Sequence, residues 1–273
     1  MPTISTVVVN YNNGPFVRRC VESFLSQTRP PDEVVIVDDA STDESLDELA
    51  ALEREHAEVR VLRHPANTGV AQTRIDGMRA STGELVNYID SDDYLQNADK
   101  LQEELDLLLY YRHRLDRDVV AFSDVHIADG AGNVVSRFRD LRPVREGRIV
   151  DGLLTRTCLV PQNFLVSRRV YEGVGGHDPA LSFYENWDLK LRLSAAVEHA
   201  FTGVPGFVYR RHGHGLSNAA VEQHQRWVAH IARRNLHLVP AAQRDVVEAD
   251  VDRMVAELPV ELAFINRHLA AAS

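Results

Sequence analysis

Short apolar runs and longer amphipathic segments alternate through the first ninety residues. Residues 4–9, 33–37 and 85–89 are almost continuously apolar or β-branched, as is typical of strands that a sheet buries on both faces. Residues 43–56 and 70–80 have the pattern of surface helices. This strand–helix alternation predicts an α/β domain with a largely parallel sheet and helices on both faces.

The second half of the chain has a less regular pattern. It predicts helices at 101–111 and 186–197, strands at 119–125 and 207–210, and a hairpin turn at 129–133. Residues 137–184 show no interpretable pattern. We therefore predict one domain over 1–217, divided into a nucleotide-binding half, about 1–97, and an acceptor half, about 98–217. A polar, histidine-rich helical appendage would follow over 218–273.

Charge and cysteine content exclude several classes of protein. The formal net charge of -10 leaves no basic surface for a nucleic-acid backbone. Cys20 and Cys158 are far apart among apolar neighbours, which predicts two buried thiols and neither a disulfide framework nor a zinc cluster. No apolar run approaches the ~18 residues of a membrane span, so we expect a cytoplasmic protein without one.

Polar groups follow three of the predicted strands directly. Asn10 and Tyr11 end the first, Asp38 and Asp39 the second, and the run Asp90-Ser91-Asp92-Asp93 the strand at 85–89. Parallel strands bring their carboxyl ends to one edge of a sheet, where α/β proteins bind ligands. Helix capping is an alternative for such groups, especially for Ser41 or Asp43, but it does not explain why all three strands end alike.

The Asp90–Asp93 run offers chemistry beyond capping. Alternate carboxylates at a strand end can converge on one hard cation. Oxygen ligands of this kind suit magnesium or manganese. A turn with a helix cap is an equally common role for such a run when it stands alone.

Four segments resemble a known family, the inverting family 2 glycosyltransferases, over roughly residues 3–215. They read VVVNYNNGPFVRRCVESFLSQTRPPDEVVIVDDASTDES, HPANTGVAQTRIDGMRASTGELVNYIDSDDYL, YENWDLKLRL and VYRRHGHGLS. The resemblance implies a GT-A fold, which is a Rossmann-like, mostly parallel sheet with helices on both faces, here followed by a small C-terminal helical segment. It also implies transfer of a sugar from a nucleotide diphosphate donor, UDP or dTDP, to an acceptor hydroxyl with a divalent metal.

The resemblance assigns roles to residues at the strand ends. Tyr11 would lie against the donor base, Asp39 would accept from the base NH, and Asp92 would be the direct metal ligand, with Asp90 facing the ribose or a metal-bound water. His212 would close over the metal or diphosphate. The residues implied to bind the donor are Asn10, Tyr11, Asp38, Asp39, Asn67, Arg74, Asp90 and Ser91; Arg74 would reach its phosphates or form a surface ion pair.

The proton acceptor is the point at which the sequence departs from the family pattern. The family carries the aspartate of a Glu-Asp pair at the start of a helix, and the matching residues here are Glu185 and Asn186. An asparagine cannot take a proton at neutral pH, so either Asp188, which we favour, or Glu185 would act as the base.

Two other functions remain open at this point. A catalytically impaired protein that binds nucleotide sugars would account for Asn186. A sugar nucleotidyltransferase would need a glycine-rich basic phosphate loop near the N-terminus, and NYNNGPFVRRC matches one poorly. The acceptor could be a sugar, a natural product or a lipid-linked molecule, and the sequence does not fix the oligomeric state.

Overall fold

The computed structural model describes residues 1–211 and 219–271. Its strands are β1 Ile4–Asn10, β2 Glu33–Asp38, β3 Val59–Arg63, β4 Leu85–Asp90, β5 Tyr94–Leu95, β6 Val119–Ala128, β7 Val134–Arg137, β8 Phe164–Ser167 and β9 Glu198–Arg210. Its helices are α1 Gly14–Leu25, α2 Ser45–Glu55, α3 Val70–Ala80, α4 Lys100–Leu115, α5 Phe138–Leu141, α6 Val150–Leu154, α7 Arg168–Gly173, α8 Glu185–Ala196, α9 Val221–Asn235 and α10 Arg244–Ala271.

The strands form one mixed sheet in the order β3-β2-β1-β4-β8-β6-β9-β5, with β7 paired to β6. The four strands from β3 to β4 run parallel, and β8 is antiparallel to both of its neighbours. The predicted α/β architecture with a mostly parallel sheet and C-terminal helices is therefore confirmed.

β8 and β9 differ from the sequence-based prediction. β8 lies within residues 137–184, where the pattern gave no element, because it has only four residues, all buried. β9 begins at Glu198, well before the predicted start at 207. Its register against β6 shifts twice around Asp124, and such irregularities interrupt the apolar alternation by which a strand is recognised.

The parallel register brings the strand ends together. Asn10 pairs with Asp38 across β1 and β2, and Val9 pairs with Asp90 across β1 and β4. Two backbone bonds continue this alignment beyond the strands, from Asp39 N to Asn10 O and from Ser91 N to Val9 O, at 2.9 and 3.0 Å. The polar groups that the sequence places after separate strands thus share one edge of the sheet.

The C-terminal helices complete the largest apolar core. Ile231 of α9 and Val251 of α10 are fully buried in the same cluster as Phe164 and Trp187. The segment expected to be a polar, histidine-rich appendage predicts an exposed His224, and this is wrong, because His224 is buried and its Nδ1 lies 2.9 Å from the Tyr184 hydroxyl. The boundary at 217 stays a prediction.

Both cysteines are free and buried, as expected. Within residues 1–211 and 219–271, none of the helices has the length and apolar character needed to cross a membrane.

Candidate active site

An acidic cluster lies at the carboxyl end of β4. Asp90, Asp92 and Asp93 each contribute one carboxylate oxygen to a group whose members lie within 4.8 Å of one another. A bond from Asp93 N to Asp90 O closes the turn that gathers them. Burial, followed by the neighbouring carboxylates, raises the pKa of Asp93, and burial also raises the pKa of Asp90. Hard oxygen donors at this spacing fit a magnesium or manganese ion.

Two residues that the sequence analysis did not identify bind this cluster. Gln162 donates from Nε2 to Asp90 Oδ2 at 3.1 Å and to Asp93 Oδ2 at 2.9 Å. Arg210 donates from its backbone N to Asp93 Oδ1 at 2.9 Å and from Nε to Asp92 O at 3.0 Å. Arg210 belongs to the quoted segment VYRRHGHGLS, whereas Gln162 lies in the stretch without an interpretable pattern.

Arg74 joins the cluster to α8. Its guanidinium bonds to Asp90 Oδ1 through Nη2 and to Glu185 Oε1 through Nη1, and only 1% of the residue is exposed. Burial alone would lower the pKa of Arg74, but attraction by Asp90 and Glu185 raises it above its usual range. The expected surface ion pair is therefore a buried one. A guanidinium held in this way does not fit the alternative role of reaching the donor phosphates.

Asp38 organises the end of β2. Its Oδ1 accepts from Asn10 Nδ2 at 2.8 Å and from the Ser41 hydroxyl at 2.5 Å, and its Oδ2 accepts from Ser41 N at 3.0 Å. These bonds stabilise the turn in which Ala40 has a φ of 63°. Because Asp38 and Asn10 are buried, they support the edge of the sheet without reaching its surface.

Asp39 holds the loop 64–69 against the sheet. Its Oδ1 accepts from Thr68 N at 2.8 Å and lies 2.8 Å from His64 Nδ1, and its Oδ2 accepts from Gly69 N at 2.9 Å. Burial alone would raise the pKa of Asp39, but these hydrogen bonds outweigh it and lower the pKa. The loop presents Asn67 to solvent.

Tyr11 and Ser91 differ in their surroundings. Tyr11 is 49% exposed at the end of β1, so its ring is accessible to a ligand. Ser91 is buried, and its hydroxyl accepts from Asn13 Nδ2 at 3.0 Å. Ser91 therefore ties the acidic turn to the start of α1.

The start of α8 places Glu185, Asn186 and Asp188 in different surroundings. Glu185 reaches the cluster through Arg74, and Asn186 donates from Nδ2 to Gln162 Oε1 at 3.3 Å. Asp188 is fully buried, and its oxygens accept from Arg192 Nε and Asn235 Nδ2, both at 2.8 Å. These bonds tie α8 to α9 and direct the Asp188 carboxylate towards α9 and not towards the cluster, which does not fit the role of base that we favoured for Asp188. His212 lies outside the described residues.

Two buried histidines give the protein a predictable response to acid. Burial lowers the pKa of His177 and of His199 to about 3. Both rings are thus neutral in the native state, whereas an unfolded chain protonates histidine at a pKa of about 6.5. Their contribution to stability is complete above pH 6.5 and is lost as the pH falls towards 3, by up to about 1.4 kcal/mol per pH unit for each ring.

We expect His199→Leu to leave the stability at pH 7 unchanged or higher, and to make its decline below pH 6.5 shallower. Within residues 1–211 and 219–271, neither ring nitrogen of His199 has a hydrogen-bond partner, so the substitution removes polar atoms without stranding others. Urea unfolding at a series of pH values measures both effects. The exposed His113 on α4 supplies a matched control, His113→Leu, and equal slopes for the two variants would contradict the prediction.

Comparisons with known proteins bear on this site. The sequence profile described as "Glycosyl transferase family 2" matches residues 5–175. The "Uncharacterized glycosyltransferase EpsJ" of Bacillus subtilis is 34% identical over 106 residues, which are 38% of this chain and 30% of EpsJ. The chain spans less than two thirds of the length of the curated relatives it matches.

Two solved structures have a similar fold. Staphylococcus aureus TarS 1-349 in complex with UDP-GlcNAc superposes with a TM-score of 0.70 at 18% identity, covering 92% of this chain and 72% of that one. The mannosyltransferase PcManGT of Pyrobaculum calidifontis, in complex with GDP-Man and Mn2+, gives a TM-score of 0.65 at 19% identity, covering 100% and 74%. These likenesses confirm the fold expected from the sequence.

Proposed function

Because the chain belongs to glycosyl transferase family 2, we propose that it transfers a sugar, with inversion, from a nucleotide diphosphate donor to an acceptor hydroxyl. The observation that carries this proposal is the convergence of Asp90, Asp92 and Asp93 beside the polar ends of β1 and β2. Carboxylates aligned in this way serve a ligand that brings a cation with it, and a sugar nucleotide is such a ligand.

The donor is a UDP- or dTDP-sugar in this proposal. TarS was solved with UDP-GlcNAc and PcManGT with GDP-Man, so proteins of this fold differ in the nucleotide that they bind. The exposed ring of Tyr11 would lie against the base, and Asp39 fixes the loop that presents Asn67. Asn10 and Asp38 support this surface from the ends of β1 and β2, and Ser91 supports it from the turn after β4.

Asp92, with Asp90 and Asp93, would hold magnesium or manganese, which neutralises charge on the departing diphosphate. Asp92 is the most suitable direct ligand because its side chain is partly exposed, whereas Asp93 is buried. Arg74 and Gln162 fix the rotamer of Asp90 from two sides. The fold thus presents the carboxylates in position before the donor arrives.

Glu185 is the group that we propose as the proton acceptor for the incoming hydroxyl. Of the two carboxylates considered, it is the one bonded to Arg74 and hence adjacent to the cluster. The acceptor is a sugar, a natural product or a lipid-linked molecule. The cytoplasmic location expected from the sequence is part of the same proposal.

Calorimetric titration with UDP and with dTDP, in manganese and in chelator, tests the proposal. We expect binding of one nucleotide that depends on the metal, and a loss of at least about 10-fold in manganese affinity for Asp92→Asn, because removing a direct ligand should cost no less than removing a partner of a ligand. Asp106→Asn, on the exposed face of α4, is the matched control. A wild-type protein that binds neither nucleotide under either condition would refute the proposed function.

A further inference from the structure

Gln162 occupies an unusual place in the acidic cluster. Both hydrogens of its side-chain amide are used, one towards Asp90 Oδ2 and one towards Asp93 Oδ2. A neutral amide therefore bridges two carboxylates that would otherwise repel each other. The distance between these carboxylates depends on where that amide is held.

The side chain of the next residue, Asn163, fixes the backbone beside Gln162. Asn163 donates from Nδ2 to Tyr88 O at 2.8 Å and accepts from Lys100 Nζ, and all three of these residues are buried. These bonds anchor the segment before β8 to β4 and α4. The reach of the Gln162 side chain to the cluster is therefore set by the fold.

The orientation of the Gln162 amide is set by a directed chain of hydrogen bonds. Gln162 presents Nε2 to Asp90 and Asp93 and turns its Oε1 away from the cluster. Oε1 lies 3.3 Å from Asn186 Nδ2, and Asn186 Oδ1 lies 3.1 Å from His177 Nε2. His177 Nδ1 lies 2.9 Å from the Tyr171 hydroxyl.

The hydrogen bonds of this series all run in the same donor-to-acceptor direction, from Tyr171 to Gln162. Burial keeps His177 neutral, with a pKa of about 3, so its ring has one donor and one acceptor. When Tyr171 donates to Nδ1, Nε2 donates to Asn186, and Asn186 donates to Gln162. The Asn186 side chain can accept a hydrogen bond from His177 through its oxygen and donate one to Gln162 through its nitrogen. An ionised aspartate at position 186 would instead place an oxygen that only accepts against Gln162 Oε1, which also only accepts.

We propose that Gln162 is a positioning residue of the cation site and that Asn186 acts by orienting Gln162. The inference rests on the proposed function and extends it, since it assigns position 186 to the support of the metal-binding carboxylates. It also explains why the residue at the family's base position is an amide in this chain.

The affinity of the protein for manganese alone, measured by calorimetry without any nucleotide, tests the inference. We expect Gln162→Leu to weaken manganese binding about 10-fold or more, in line with the effect of losing a partner of a metal ligand. Asn186→Leu should weaken it in the same direction. In the double variant, Asn186→Leu should cause no further loss, because it acts only through Gln162.

Gln102→Leu is the matched control, because Gln102 also donates its amide to a carboxylate, that of Asp106 at 2.8 Å, on an exposed face of α4. Thermal unfolding shows whether each variant is folded, and Gln162→Met, which keeps the length of the side chain, replaces Gln162→Leu if that variant does not fold. A merely structural role would lower the unfolding temperature and leave manganese affinity unchanged.

Three results would overturn the inference. Single variants with wild-type manganese affinity, or additive losses in the double variant, refute it while leaving the proposed function intact. A wild-type protein that binds neither manganese nor any nucleotide refutes both.

Discussion

Glu185→Gln is expected to lower turnover about 100- to 10,000-fold, the range that a positioned general base contributes, while the dissociation constant of the nucleotide changes little. Glutamine keeps an oxygen for Arg74 and preserves the length of the side chain, so the clamp between Asp90 and α8 should survive. Only the capacity to take a proton is lost. Release of UDP or dTDP from the donor, with water as the acceptor, measures turnover without knowledge of the natural acceptor.

Asp188→Asn provides the contrasting variant. Asp188 is fully buried against Arg192 and Asn235, so its replacement should lower the unfolding temperature and leave turnover per folded molecule close to that of the wild type. Loss of turnover in Asp188→Asn together with full activity in Glu185→Gln would show that the base has been assigned to the wrong carboxylate. Donor binding without turnover in the wild-type protein would instead identify a catalytically impaired binding protein.

Lys100→Met is expected to lower the free energy of unfolding by about 3–5 kcal/mol, the cost of removing one partner of a buried ion pair. Lys100 Nζ lies 2.8 Å from Glu104 Oε2, and neither side chain is exposed. Burial lowers the pKa of Lys100 and raises the pKa of Glu104, and their mutual attraction opposes both shifts. Without the lysine, Glu104 would be left as a buried carboxylate with only the Ser123 hydroxyl as a described partner.

Denaturant unfolding at pH 7 measures this effect. Adding Glu104→Leu to Lys100→Met should recover much of the lost stability, because an apolar pair has no charge to desolvate. The exposed pair of Arg253 and Asp250 supplies the control. Its disruption by Arg253→Met should cost less than about 1 kcal/mol, and an equally small loss for Lys100→Met would contradict the prediction.

The first half of the fold could be predicted from the sequence because its signals are local. The runs at 4–9, 33–37 and 85–89 are almost continuously apolar or β-branched, since each strand is covered on both faces. The polar groups that follow these runs, such as Asp39 and Asp90, lie at strand ends because of the local sequence alone. The sequence by itself therefore determined the parallel sheet, the edge at which a ligand would bind, and the acidic cluster.

Only the tertiary structure decided which of the remaining polar residues belong to the site. Gln162 lies 72 residues after Asp90, and Glu185 lies 111 residues after Arg74. Asp188 is three residues beyond Glu185 on the same helix, yet it faces α9 and not the cluster. Helix periodicity determines the angle between two side chains around the helix axis, but it does not determine which residues pack against each side chain. The partners come from distant segments whose positions depend on the packing of the whole core.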